Sequence, residues 1–94
     1  MIEKRHFEGK KVADITVYAL STCIWCRKSR KLLEELGIEH DVVEVDLVND
    51  LDDKNEVMQN IMKWNPDCSY PTIVLNNKEC IVGFDEEKLR GLVK

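Results

Sequence analysis

The stretch Asp14-Ile15-Thr16-Val17-Tyr18-Ala19-Leu20-Ser21-Thr22-Cys23-Ile24-Trp25-Cys26-Arg27-Lys28 decides how the rest of the chain is read. Its first half is rich in β-branched and aromatic residues, which suit a pleated, half-buried strand. Ser21 and Thr22 then offer capping hydroxyls ahead of a helical stretch from about Ile24 to Leu36. Leu32, Leu33 and Leu36 supply the apolar stripe of that helix, and Gly37 is placed to terminate it. A C-x-x-C pair therefore stands where a strand gives way to a helix, the context in which it reads as a redox dithiol.

Outward from this stretch, Ile38 through Val45 alternates enough to be a second strand. Asp50, Asp52 and Asp53 open a second helix, with Val57, Met58, Ile61 and Met62 as its inward face. Asn65-Pro66 reads simply as the stop of that helix. Thr72–Leu75 and Cys80–Val82 flank the short turn Asn76-Asn77-Lys78 as an antiparallel hairpin. Asp85-Glu86-Glu87 begins a last helix with Leu89, Leu92 and Val93 inward. The expected fold is α/β, in the order β-α-β-α-β-β-α: a four-stranded mixed sheet with helices on both faces and a right-handed first crossover. Residues 1–11 are expected to be a tail or a short added strand, and residues 12–94 one domain.

Composition narrows the function classes. With 94 residues, 44% hydrophobic, and 14 Lys+Arg against 18 Asp+Glu for a net charge of −4, the chain suits one compact domain. It contains no run near the roughly 18 apolar residues of a membrane span. Its first residues form no apolar signal region, and its acidic balance argues against nucleic acid. A cytoplasmic, monomeric protein is expected, with neither membrane nor nucleic acid as partner.

Four cysteines, Cys23, Cys26, Cys68 and Cys80, make one close pair and two singles. A zinc ribbon would need a second close pair, and His6 and His40 are not spaced as a ligand pair, so no metal site is expected. Cys80 and Cys68 read as small buried hydrophobes, with an auxiliary thiol as the other reading of Cys68. The nucleophile of thiol chemistry is a thiolate, and an ordinary thiol near pKa 8.5 is only a few per cent ionised at neutral pH. Cys23, at the start of a helix, meets unpaired backbone N–H groups and the positive dipole end, which favour an anion. Cys26, one turn on, is the resolving thiol beneath it.

Charge placement singles out the same helix. Arg27, Lys28, Arg30 and Lys31 crowd its front, and Glu34 and Glu35 its end, the reverse of what a helix dipole favours. Residues 1–31 hold eight bases and three acids, and the remainder six bases and fifteen acids. A local rule broken in one place is often a functional mark. Arg27 is the cation assigned to steady the thiolate; the rest form a solvated face with i,i+4 pairs.

Thr16-Val17-Tyr18 before Ser21-Thr22-Cys23-Ile24-Trp25-Cys26-Arg27-Lys28, then Ser69-Tyr70-Pro71-Thr72, then Val82-Gly83-Phe84-Asp85 resemble the glutaredoxin family over about residues 12–94. The resemblance implies a thioredoxin-like fold and thiol–disulfide exchange, with a cis proline at Pro71 beside the thiols. It implies that the Tyr70 backbone faces the cleft and can pair with an incoming peptide, and that Gly83 and Asp85 receive the amino end of glutathione's γ-glutamyl group. Glutathione or another low-molecular-weight thiol is the implied reductant, and no tightly bound cofactor is expected. Leu20 and Ile24 depart from the family pattern: Leu20 stands where a lysine would meet a glutathione carboxylate, and Ile24 replaces the proline usual after the first cysteine, while the aromatic before the second is Trp25. The missing proline keeps an alternative open, an iron–sulfur cluster carrier with Cys23 as ligand. Val82-Gly83-Phe84 resembles the glutaredoxin-like electron donors of ribonucleotide reductase, which makes that enzyme a candidate partner.

Overall fold

The computed structural model describes residues 4–67 and 69–93. Along them run β1 (Arg5–Phe7), β2 (Ile15–Ala19), α1 (Ile24–Glu35), β3 (His40–Glu44), a 3-10 helix (Val45–Leu47), α2 (Leu51–Trp64), β4 (Thr72–Leu75), β5 (Glu79–Val82) and α3 (Glu86–Gly91). The strands form one sheet in the order β1-β3-β2-β4-β5. β2 and β3 are parallel, while β1 on β3, β4 on β2 and β5 on β4 are antiparallel.

This sheet has five strands: the four expected of the domain and, from residues 1–11, the short added strand that was the alternative to a tail. The added strand is β1, at the edge beyond β3, with Arg5 opposite Val42 and Phe7 opposite His40. Its pairing is fixed by partners distant in sequence. Arg5 Nη1 lies 2.9 Å from Glu44 Oε1, and His6 Nδ1 lies 2.7 Å from Asp41 Oδ1. Behind it the chain passes so close to the α1–β3 link that an added Cβ on Gly9 would stand 2.5 Å from the Gly37 carbonyl oxygen.

Period-2 alternation places successive strand residues on opposite faces. Ile15, Val17, Ala19, Val42, Ile73 and Ile81 pack with Leu32 and Leu33 of α1 and Leu89 of α3. On the other face Val43 and Val45 pack with Val57 and Ile61 of α2. Helices therefore cover both faces, as the element order requires. Met62, expected inward, is exposed, and Val93 is exposed beyond the end of α3.

Local chemistry sets the ends. Gly37 adopts φ +68° after the C-cap Leu36, its N–H meets the Glu34 carbonyl at 3.0 Å, and Ile38 N–H meets that of Leu33 at 3.0 Å. These are the two bonds of a Schellman cap. Asn76 and Asn77, at φ 53° and 56°, turn the β4–β5 hairpin in a region asparagine tolerates. Asp50 caps α2, accepting the Asp52 and Asp53 amides.

Candidate active site

Beyond the carboxyl ends of parallel strands an α/β sheet leaves a crevice, and the chain departs from β2 there in a tight turn closed by Cys23 N–H on the Leu20 carbonyl at 3.2 Å. Cys23 is the N-cap of α1, with extended backbone, and its Sγ accepts the Cys26 amide at 3.3 Å. Sulfur here takes the part that a hydroxyl or carboxylate oxygen plays at most N-caps. The hydroxyl cap expected from Ser21 or Thr22 is not formed, because Ser21 is turned toward Asp46.

Cys23 is half-buried, whereas Cys26 is only 1% exposed. Burial above all, then a hydrogen bond to Cys23 and the charge of that sulfur, push the Cys26 thiol up to about 12. The Leu20 backbone and the Arg30 charge act in the opposite sense. The two sulfurs are thus ordered. Cys26 keeps its proton and donates a hydrogen bond to the Cys23 sulfur.

Arg27 is exposed, and among the described residues its guanidinium makes no hydrogen bond or ion pair. Its amide bonds the Cys23 carbonyl at 3.1 Å. The cation whose charge reaches the Cys26 thiol is Arg30, which approaches Glu44 at 3.9 Å and the Phe7 ring at 5.9 Å. Lys28 sits 4.7 Å above the Trp25 ring, and Trp25 stacks on Phe84 with centroids 6.1 Å apart. Ile24 and Trp25, the two residues after Cys23, are exposed apolar side chains, as is Val82 at the end of β5.

The Tyr70–Pro71 bond is cis, as the resemblance implies. Since Thr72 pairs with Tyr18, the buried Pro71 stands level with Ala19, at the end of the sheet where the cysteines lie. The Gly83 amide donates to the Pro71 carbonyl at 2.8 Å, and Gly83 has φ +79°. Tyr70 is half-buried, its hydroxyl 3.6 Å from Met58 Sδ. Asp85 caps α3, accepting the Lys88 amide at 3.0 Å. Cys80 is half-buried and donates to the Trp64 carbonyl. Cys68 lies outside the described residues.

Asn65 has a part that its reading as a helix stop did not reveal. It is 5% exposed, and its Nδ2 lies 3.1 Å from the Ser69 carbonyl, 3.0 Å from Ser69 Oγ and 3.2 Å from Thr72 Oγ1. The Thr72 hydroxyl in turn donates to the Ser69 carbonyl at 2.8 Å. One buried amide thereby ties the end of α2 to both sides of Tyr70–Pro71. In the sequence, Asn65-Pro66 signals the backbone stop of the helix and carries no local mark of the side-chain tie.

A cluster with metal-ligand spacing among the described residues, His6, Glu8 and Glu39, lies at the start of β3, remote from this end of the sheet.

The comparisons agree with this geometry. The chain is similar to the glutaredoxin of Methanosarcina mazei Go1, 36% identical with a TM-score of 0.87 over 94% of this chain and 84% of that one. It is similar also to the methanoredoxin of Methanosarcina acetivorans, 39% identical with a TM-score of 0.85 over 89% and 87%. The Gene 56 protein of Mycobacterium phage D29 is 33% identical over 84% of this chain and 81% of its own length. The glutaredoxin family model matches residues 15–81. On this match, and on a dithiol at the head of a helix beside a cis proline, the chain belongs to the glutaredoxin family.

Proposed function

We propose that the chain reduces disulfides of proteins or small molecules through Cys23 and Cys26. The observation that carries the reading is the Cys26 amide held on Cys23 Sγ at the head of α1, above a buried, protonated Cys26. The Cys23 thiolate attacks one sulfur of the substrate disulfide. That S–S bond breaks, a mixed disulfide forms, and the departing thiolate takes a proton from solvent. In the mixed disulfide Cys23 no longer accepts the Cys26 proton or repels its charge, so two of the causes holding Cys26 protonated are gone. Cys26 then attacks Cys23 Sγ, the bond from Cys23 to the substrate sulfur breaks, and the proton lost by Cys26 goes to that departing sulfur, which leaves as the second substrate thiol. The enzyme is left with an internal disulfide, oxidised by two electrons.

The exposed Ile24 and Trp25 and the cis-proline wall support a peptide as substrate, with Tyr70 and Pro71 presenting backbone to it. Ribonucleotide reductase is one candidate of this kind. A low-molecular-weight thiol that returns the electrons would meet Gly83 and Asp85 through its amino end. Leu20 offers no cation for its carboxylate, which leaves glutathione one candidate among several, with a reductase enzyme as another. Arg27 contributes through its charge rather than by contact. A dithiol that must be returned to its reduced form suits a reducing compartment such as the cytoplasm.

The test is disulfide reduction with an excess of small thiol. Wild type should turn over, and Cys23→Ser should lose at least about a hundredfold in rate. Substantial turnover by Cys23→Ser would falsify the assignment.

A further inference from the structure

We propose that Asp46 is a positioning residue for the Cys23 thiol, an inference that rests on the oxidoreductase reading. The last register pair of β2 and β3 is Ala19 with Glu44. Two residues further along each strand stand Ser21, in the turn that ends at Cys23, and Asp46, in the 3-10 helix. The backbone ladder has ended, and a side chain continues it. Asp46 Oδ1 accepts the Ser21 amide at 2.9 Å, and Oδ2 accepts the Ser21 hydroxyl. The same two bonds, hydroxyl before amide, hold the Asp46 carboxyl below its ordinary range, so at neutral pH the acceptor is charged and both bonds are charge-assisted.

The consequence for the thiol follows from where the turn is anchored. At one end Cys23 is fixed by α1, through its sulfur on the Cys26 amide. At the other end β2 stops at Ala19. Between them the turn has its own Leu20–Cys23 bond and the grip of Asp46 on Ser21. Nucleophilic attack on a disulfide needs its sulfurs aligned, and a displacement of the attacking atom by a fraction of an ångström costs rate. Asp46 has no place in the line of attack; it acts through Ser21. An amide in its place could still accept the Ser21 N–H and donate to the Ser21 oxygen.

Asp46→Ala and Asp46→Asn separate this part from a general effect on stability. Exchange of the Ser21 and Cys23 amides and alkylation of Cys23 by iodoacetamide, followed on its own peptide by mass spectrometry, report the turn directly. Disulfide reduction reports its use. In Asp46→Ala, amide exchange should quicken at least tenfold, and alkylation and kcat should each fall about tenfold with KM within about twofold. Asp46→Asn should stay within about threefold of wild type in all of them. The proposal is overturned if Asp46→Ala exchanges and alkylates like wild type, or if Asp46→Asn falls equally far with losses that follow the melting temperature. A wild-type chain that reduces no disulfide would overturn the oxidoreductase reading, while exchange and alkylation would still decide the tether.

Discussion

Cys26 is the side chain whose surroundings most strongly favour one protonation state. Its folded value of about 12 lies above its unfolded value of about 9. A raised value means that this group's contribution to stability is complete below about pH 9 and is lost as pH climbs through about 12. Reduced wild type should therefore lose melting temperature relative to Cys26→Ser between pH 8 and pH 11, and parallel curves would contradict the buried-thiol account. Asn65 makes a second prediction at this scale. Asn65→Ala removes the donor that Ser69 and Thr72 share and should cost about 1–3 kcal/mol by denaturant unfolding, with slower disulfide reduction because the same loop carries Pro71. Cys23, Cys26 and Pro71 were legible in the sequence because their signals are local: a spacing, a strand before it, a proline after it. Asp46 and Asn65 were not, since each matters through a partner that only the folded chain brings near.

Among the elements, β1 was the least determined by the sequence. Three residues carry too little periodicity to decide between a tail and a short added strand, and the ion pairs that fix their register reach 35 or more positions along the chain. Asp41 holds the His6 imidazole above its ordinary value through a hydrogen bond, with Glu8 and Glu39 adding to the effect. A raised histidine value stabilises below the unfolded value and loses that contribution as pH rises through the folded one. Protection of the Arg5–Phe7 amides, corrected for intrinsic exchange, should thus weaken from pH 5.5 to pH 8. Equal protection at both would show that the backbone pairing alone holds the strand. Gly9→Ala should detach β1 more drastically, since its methyl group would meet the Gly37 carbonyl; loss of β1 protection with α1 intact is the expected pattern. By contrast α1, α2 and the hairpin fell near their expected bounds, because Gly37, Asp50 and the Asn76-Asn77 pair act on the backbone at their own positions.

For the molecule as a whole, one small core on each side of the sheet leaves little redundancy. Leu33→Ala, at a fully buried position, should cost about 2–5 kcal/mol. The surplus of bases in residues 1–31 lies on the segment that carries the thiols, and the acids predominate elsewhere. Purified anaerobically, the chain should be a colourless monomer of 11.0 kDa; an iron-containing dimer would point to the cluster-carrier alternative. The most direct measurement is the mass of Cys26→Ser after it meets a disulfide substrate. One substrate half should be linked covalently through Cys23 and persist without added thiol. A chain that stays unmodified at Cys23, or whose adduct lies on another cysteine, would contradict Cys23 as the nucleophile.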